Sequence, residues 1–210
     1  MKVLYFIAKY LLVIPFCKIC FWLTVKGKKN IPKKGPYIIA SNHQSVLDIV
    51  FLIYMCRRQV HFIAKKEIFK NKFIAKILKG VGIIPVDRHS MLSGYSSLNG
   101  AVEYLKKGKV VALFPQGTRC EGQNPLDTPI KSGVAVMSKW SNAVVLPVFV
   151  KTKGYKTKFF RKATLCVGEP IAYHDSPNST PSESYHAFAK EIMEAVCSFD
   201  DNNTDNARSN

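Results

Sequence analysis

The chain has 210 residues, of which 47% are hydrophobic and 11% aromatic, so it can close one sizeable core and is not disordered as a whole. Its 31 Lys and Arg outnumber 14 Asp and Glu, giving a net charge of +17 and implying an anionic partner: nucleic acid, anionic lipid, or a phosphorylated or acidic substrate. An acidic calcium buffer is excluded, and six cysteines in a chain of this length are no disulfide framework. Cys17 and Cys20 have no second pair with which to hold zinc, so the six thiols are expected to be free and shielded, as in a reducing compartment.

The charge is concentrated. Residues 1–80 hold 16 Lys or Arg and two acids, Asp48 and Glu67. A second basic run, from Lys151 to Lys162, holds six more cations and no acid.

Val3 to Val25 is apolar apart from Lys9 and Lys18. The run is long enough to span a bilayer, but Pro15 should kink or split any helix there. Four readings stand: a signal peptide lacking a cleavage site, a spanning helix, a helix or helical hairpin within one leaflet, and a helix packed on the protein's own core. The in-leaflet reading suits the interrupting lysines best, because their stems can lie in the apolar layer while the ammonium groups reach the headgroups. Residues 1–27 are therefore expected to be a membrane-associated helical segment.

Past residue 30 the chain alternates. Strand-like runs fall at Tyr37–Ala40, Val60–Ala64, Val81–Val86, Val110–Phe114, Val144–Val150 and Thr164–Val167. Most are continuously apolar, as strands buried on both faces should be. Helical stretches fall at Val46–Cys56, Lys66–Leu78, Ser90–Lys107, Lys131–Trp140 and Ser182–Ser198. The pattern predicts an α/β domain over 28–198 with a largely parallel central sheet flanked by helices. In the Lys66–Lys79 stretch, lysines interleave with an apolar set, which fits a membrane surface or a solvated helix face. From Phe199 the chain is polar without apolar periodicity, and 199–210 is expected to be a disordered tail.

The chemistry gathers after the first domain strand, in Asn42-His43-Gln44-Ser45-Val46-Leu47-Asp48. Five residues on one helix turn through about 140°, so His43 and Asp48 would not share a helical face. With His43 in the loop, Ser45 as N-cap and Asp48 in the first turn, the carboxylate can reach back to orient the imidazole. An acidic residue in a first turn is equally a helix-start feature, and the spacing alone leaves both readings open. Arg88 closes a strand in GIIPVDR, and Arg119 closes a turn in FPQGTR. Parallel sheets bind ligands beyond the carboxyl ends of their strands, and arginine there suits phosphate through its planar fork.

Four blocks in order, NHQSVLD at 42–48, GIIPVDR at 82–88, FPQGTR at 114–119 and VLPV at 145–148, resemble the glycerolipid acyltransferases, in particular the bacterial 1-acylglycerol-3-phosphate acyltransferases. The segment AKKEIF at 64–69 is similar to a further signature, and the likeness runs from about residue 30 to 170. The resemblance implies transfer of an acyl group from a thioester of coenzyme A or acyl carrier protein to the sn-2 hydroxyl of lysophosphatidate, making phosphatidate. It implies His43 as general base and Asp48 as its orienting partner. It assigns Arg88, Arg119 and Lys131 to the acceptor phosphate, Lys65 to the oxyanion or acyl donor, and Gln116, Gly117 and Thr118 to acceptor positioning. It implies neither a metal nor a redox cofactor. No Gly-x-Ser-x-Gly elbow is present, consistent with direct attack by the hydroxyl. Gln116 departs from the family's usual Glu, from which a site more favourable to a phosphate dianion, or a different acceptor, is expected. The implied location is the cytoplasmic face of a bacterial inner membrane, on an anionic surface. Three rivals remain: an acyltransferase for another lysolipid or glycerol 3-phosphate, a silent lipid-binding relative, and a nucleic-acid binder. The last lacks any visible nucleic-acid motif, so no nucleic-acid partner is expected.

Overall fold

The computed structural model describes residues 2–65, 82–86 and 98–200. The chain opens with α1 (Lys2–Ala8), a π-helical turn (Lys9–Val13) and α2 (Ile14–Phe21). Backbone angles at both joins, Ala8 and Val13, are right-handed helical, so the three pieces run on as one rod and no hairpin forms. Pro15 lies in the first turn of α2, and the wider π turn just before it accommodates the missing N–H donor. Trp22, at φ 42°, ends the rod in a left-handed cap, with its N–H on Lys18 O and that of Leu23 on Cys17 O. Cys17 and Phe21 are fully buried, while Tyr10, Leu11, Leu12, Ile19 and Trp22 are exposed. One side of the rod thus packs on the protein's own core and the other side presents apolar surface. No helix among the described residues is long and apolar enough to cross a membrane.

The remaining elements are β1 (Thr24–Lys26), β2 (Tyr37–Ser41), α3 (Leu47–Met55), β3 (Val60–Lys65), β4 (Ile83–Val86), α4 (Asn99–Lys106), β5 (Val110–Leu113), α5 (Gly133–Ser141), β6 (Val144–Lys151), β7 (Thr164–Val167) and α6 (Pro181–Cys197). The seven strands form one sheet in the order β1-β7-β6-β2-β5-β3-β4. All pairs are parallel except β6 with β7. The short link from Lys151 to Thr164 holds only a single 3₁₀ turn, too little for a crossover helix, so β7 returns beside β6 antiparallel. The expected helix at Lys66–Leu78 and the first part of that at Ser90–Lys107 lie outside the described residues.

Alternation along the strands builds two apolar layers. Tyr37 and Ile39 point to one face of β2, Ile38 and Ala40 to the other. On the first face α2 and α3 supply Cys17, Phe21, Phe51 and Leu52. On the second face α4, α5 and α6 supply Leu105, Met137, Phe188 and Ile192. The long α6 starts on a capping box: Glu183 N–H donates to Thr180 Oγ1, and the Glu183 carboxylate accepts from Thr180 N. The packed body extends past the predicted end of the domain, since Phe199 joins a third apolar cluster and Asp200 is buried and accepts from the Tyr155 hydroxyl.

None of the six cysteines is in a disulfide, and all but Cys20 are buried. Burial pushes the Cys17 and Cys197 thiols up to about 12.

Candidate active site

β2 delivers Ser41 to the carboxyl edge of the sheet, and the chain turns through 42–46 before α3 starts at Leu47. Ser45 is not the helix cap. Its hydroxyl accepts from Leu47 N, and Asp48 is the second helical residue. Asp48 is fully buried and reaches back. Its Oδ2 accepts from His43 Nδ1, Gln44 N and Ser45 N, each at 2.8 Å. Charge-assisted bonds of this kind are about twice as strong as neutral ones. Both sequence readings of Asp48 therefore hold at once, as helix-start acid and as partner of the imidazole. With Nδ1 donating to the carboxylate, the neutral imidazole carries its lone pair on Nε2. The His43 side chain is 14% exposed, and Nε2 makes no hydrogen bond among the described residues.

The neighbouring strand β5 holds the imidazole from above. Phe114, one residue beyond β5, stacks on the ring at 3.8 Å between centroids and 11° between planes. The 114–120 turn grips the backbone of His43 at both ends: Gln116 Oε1 accepts from His43 N at 2.6 Å, and Cys120 N donates to His43 O at 2.8 Å. On the other side, Asn42 exchanges two hydrogen bonds with the Val150 backbone, and Gln44 Nε2 adds a third to Val150 O. Segments more than 100 residues apart thereby fix the two neighbours of His43. The contributions of Phe114, Asn42 and Gln44 were not assigned from the sequence. They depend on which strands are adjacent, which no local pattern encodes.

Gln116 stands elsewhere than expected. Its side chain is 2% exposed, and both ends of the amide are engaged, Oε1 by His43 N and Nε2 by Thr128 Oγ1. It supports His43 from inside and does not face an acceptor. Gly117 adopts φ 70° in the turn, where glycine is favoured. A Cβ built there would stand 2.9 Å from Lys131 Cδ and Cε, so the lysine stem lies across this glycine. The backbone N–H of Lys131 donates to Pro115 O, tying the residue to the same turn. Thr118, Arg119 and Lys131 are all exposed, and neither cationic side chain has an acidic partner among the described residues. Lys65 ends β3, two strand spacings from β2 and about 10 Å away along the same edge. Arg88 lies outside the described residues. Among those described, no three His, Cys, Asp or Glu side chains converge as metal ligands would.

A histidine held by a buried carboxylate, at the carboxyl edge of a mostly parallel α/β sheet and near two cations that have no acidic partner among the described residues, is an arrangement that can accept a proton close to a bound anion. The acyltransferase family model matches residues 22–151, a span that runs from the end of α2 to the end of β6 and includes the whole site. A 1-acyl-sn-glycerol-3-phosphate acyltransferase of Bacillus subtilis is 30% identical over 175 residues, covering 82% of this chain and 85% of that protein. One from Helicobacter pylori is 31% identical, covering 84% of this chain and 67% of its own length. The crystal structure of the 1-acyl-sn-glycerophosphate acyltransferase PlsC of Thermotoga maritima matches with a TM-score of 0.64 and 21% identity, over 95% of this chain and 89% of that one, so the two share a fold. The chain belongs to the acyltransferase family.

Proposed function

We propose that the protein transfers an acyl group from a thioester to the sn-2 hydroxyl of 1-acyl-glycerol-3-phosphate, releasing phosphatidate and a free thiol. The observation that carries this reading is the His43–Asp48 pair, with Nδ1 locked on the carboxylate and Nε2 open. The relatives that match across most of the chain are named for that reaction.

His43 Nε2 takes the hydroxyl proton as the oxygen attacks the thioester carbonyl. Asp48 stabilises the imidazolium that forms. The tetrahedral intermediate then collapses, the C–S bond breaks, and the imidazolium returns its proton to the departing sulfur. General-base assistance of this kind contributes about 10²- to 10⁴-fold. Arg119 and Lys131, with Arg88, bind the acceptor phosphate, and Lys65 serves the oxyanion or the donor. Gly117 and Thr118 shape the turn beneath the phosphate. The acyl donor is coenzyme A or acyl carrier protein.

The enzyme works on the cytoplasmic face of a bacterial inner membrane. Two features support this placement. The helical rod exposes Tyr10, Leu11, Leu12, Ile19 and Trp22 on one side. Beside its end, the β6–β7 loop exposes Phe159 and Phe160 among Lys156, Lys158, Arg161 and Lys162. Phe160 N donates to Cys20 O, and the Phe159 ring packs on Phe21 at 5.3 Å, so rod and loop form one surface. Aromatic and basic residues together suit an anionic interface.

Mass-spectrometric analysis of the product tests the reaction. Purified protein given palmitoyl-coenzyme A and separately lysophosphatidate, lysophosphatidylcholine or glycerol 3-phosphate is expected to yield phosphatidate from the first alone. Equal turnover of lysophosphatidylcholine would contradict a phosphate monoester acceptor. Arg119→Ala is expected to raise KM for lysophosphatidate more than it lowers kcat.

A further inference from the structure

A groove of about 760 Å³ opens at the opposite end of the sheet from His43, between the helical rod, the 28–33 segment and the last turn of α3. Tyr37, at the start of β2, lines it; His43 lies in the turn beyond the far end of that strand, whose four steps span about 13 Å. Lys9, Lys18, Lys28, Lys29, Lys33 and Arg57 line the groove, and no carboxylate does. Arg58 completes the lining and is already engaged by the carbonyls of Gly35 and Gly108.

Lys9 is the informative member. It opens the π turn and is 3% exposed. Its ammonium donates to Cys56 O, just beyond α3. Capping that helix end accounts for one of its three N–H donors. The other two have no acceptor among the described residues, and burial pushes its pKa down. A buried ammonium without a countercharge is costly, and an anion in the groove relieves it. The groove also has apolar lining from Ile14, Val25 and Met55, and Tyr10 joins it to the exposed Leu11 and Leu12 of the rod. Cations above an apolar floor, continuous with exposed aliphatic surface, fit an amphiphile better than a nucleic acid or an acidic protein.

We propose that this groove is a second site, separate from the His43 site, for the phosphate headgroup of an anionic membrane lipid, whose chains lie along the exposed apolar side of the 2–21 rod. It needs no turnover of that lipid. Occupancy holds the rod against the bilayer and sets the height of the catalytic edge.

The test uses the full chain in neutral detergent with dihexanoyl phosphatidylglycerol, a phosphodiester that is neither acceptor nor product of the proposed reaction. Thermal stabilisation is expected to saturate with this lipid and to be absent with dihexanoyl phosphatidylcholine. Lys9→Met and the double variant Lys29→Gln/Arg57→Gln are expected to weaken it by at least about tenfold. The charge-matched Lys158→Gln/Arg161→Gln and the site variant Arg119→Ala are expected to keep it. Thioester turnover in micelles should stay within about twofold of wild type in Lys29→Gln/Arg57→Gln, because the length of β2 separates the groove from the His43 site. The exposed pair carries the test if Lys9→Met does not fold. Equal loss in the Lys158/Arg161 control would mean diffuse charge attraction and overturn the site. Glycerol 3-phosphate reproducing the whole shift would make it a free-phosphate site and overturn the lipid assignment. An oligonucleotide whose binding follows the same variants would also overturn it.

Discussion

Gln116 Nε2 donates to Thr128 Oγ1 at 2.9 Å, and the Thr128 hydroxyl spends its own proton on Pro125 O at 2.6 Å. Thr128 can therefore only accept from residue 116. At the other end His43 N–H can only donate, so Oε1 must face it. Position 116 needs an acceptor at one end and a donor at the other, which an amide supplies and a carboxylate does not. Gln116→Glu sets two acceptors against each other or takes the Thr128 proton away from Pro125. We predict a loss of about 1–3 kcal/mol in denaturant unfolding at neutral pH, that of one unmade buried hydrogen bond. Acceptor preference should not change, because the side chain does not reach the open side of His43. A changed lysolipid preference at unchanged stability would contradict this.

Asp48→Asn separates charge from shape. Asp48 Oδ2 collects three N–H donors, and Oδ1 is buried without a hydrogen bond. Asparagine keeps one oxygen for these donors but places an amide NH₂ where Oδ1 stands, and it removes the charge that stabilises an imidazolium. Steady-state kinetics are expected to show kcat lower by about 10²- to 10⁴-fold with KM for lysophosphatidate nearly unchanged. A parallel rise in KM would point instead to a role in binding.

Asn42→Ala should act on stability before chemistry. Its side chain pins both backbone groups of Val150 to the loop before His43. Gln44 Nε2 still reaches Val150 O in the variant, but Val150 N–H loses its acceptor. About 1–3 kcal/mol of destabilisation is expected from a buried unpaired donor. Chemical denaturation followed by fluorescence measures it.

Thiol reactivity offers a check on the packing of the rod. Cys17 and Cys197 have thiols raised to about 12 by burial, so at pH 8 they are protonated and inert. Cys20 is the one cysteine that is only half-buried. Mild iodoacetamide treatment of the native protein should label a single thiol, Cys20, and denaturation should expose the other five. Rapid labelling of Cys17 would show that the rod does not pack on α3.

How much of this was legible in the sequence differs by element. The strands β2, β5, β6 and β7 follow from apolar runs because strands covered on both faces need them, and their ends fall within a residue of those predicted. β1 was not read, because three residues, Thr24–Lys26, carry no pattern, and its pairing with β7 is set by the cap at Trp22 and the sheet edge it meets. The antiparallel β6–β7 step depends on the linker and is invisible in strand composition. Pro15 signalled a disturbed helix, but its resolution as a π turn with Lys9 buried depends on α3 standing beside it. His43 and Asp48 were legible because loop and first turn are local. The inward role of Gln116 was not, since Thr128 and the His43 backbone reach it only in the folded sheet.

The central claim is that His43 is the base of a direct acyl transfer. Thiol release from palmitoyl-coenzyme A, or from palmitoyl acyl carrier protein, by purified protein in mixed micelles tests it most directly. Wild type is expected to release thiol only when lysophosphatidate is present, and His43→Ala is expected to lose at least about 10²-fold of that rate while folding normally. Acceptor-dependent release that survives in His43→Ala, or none in wild type with either donor, would contradict the account.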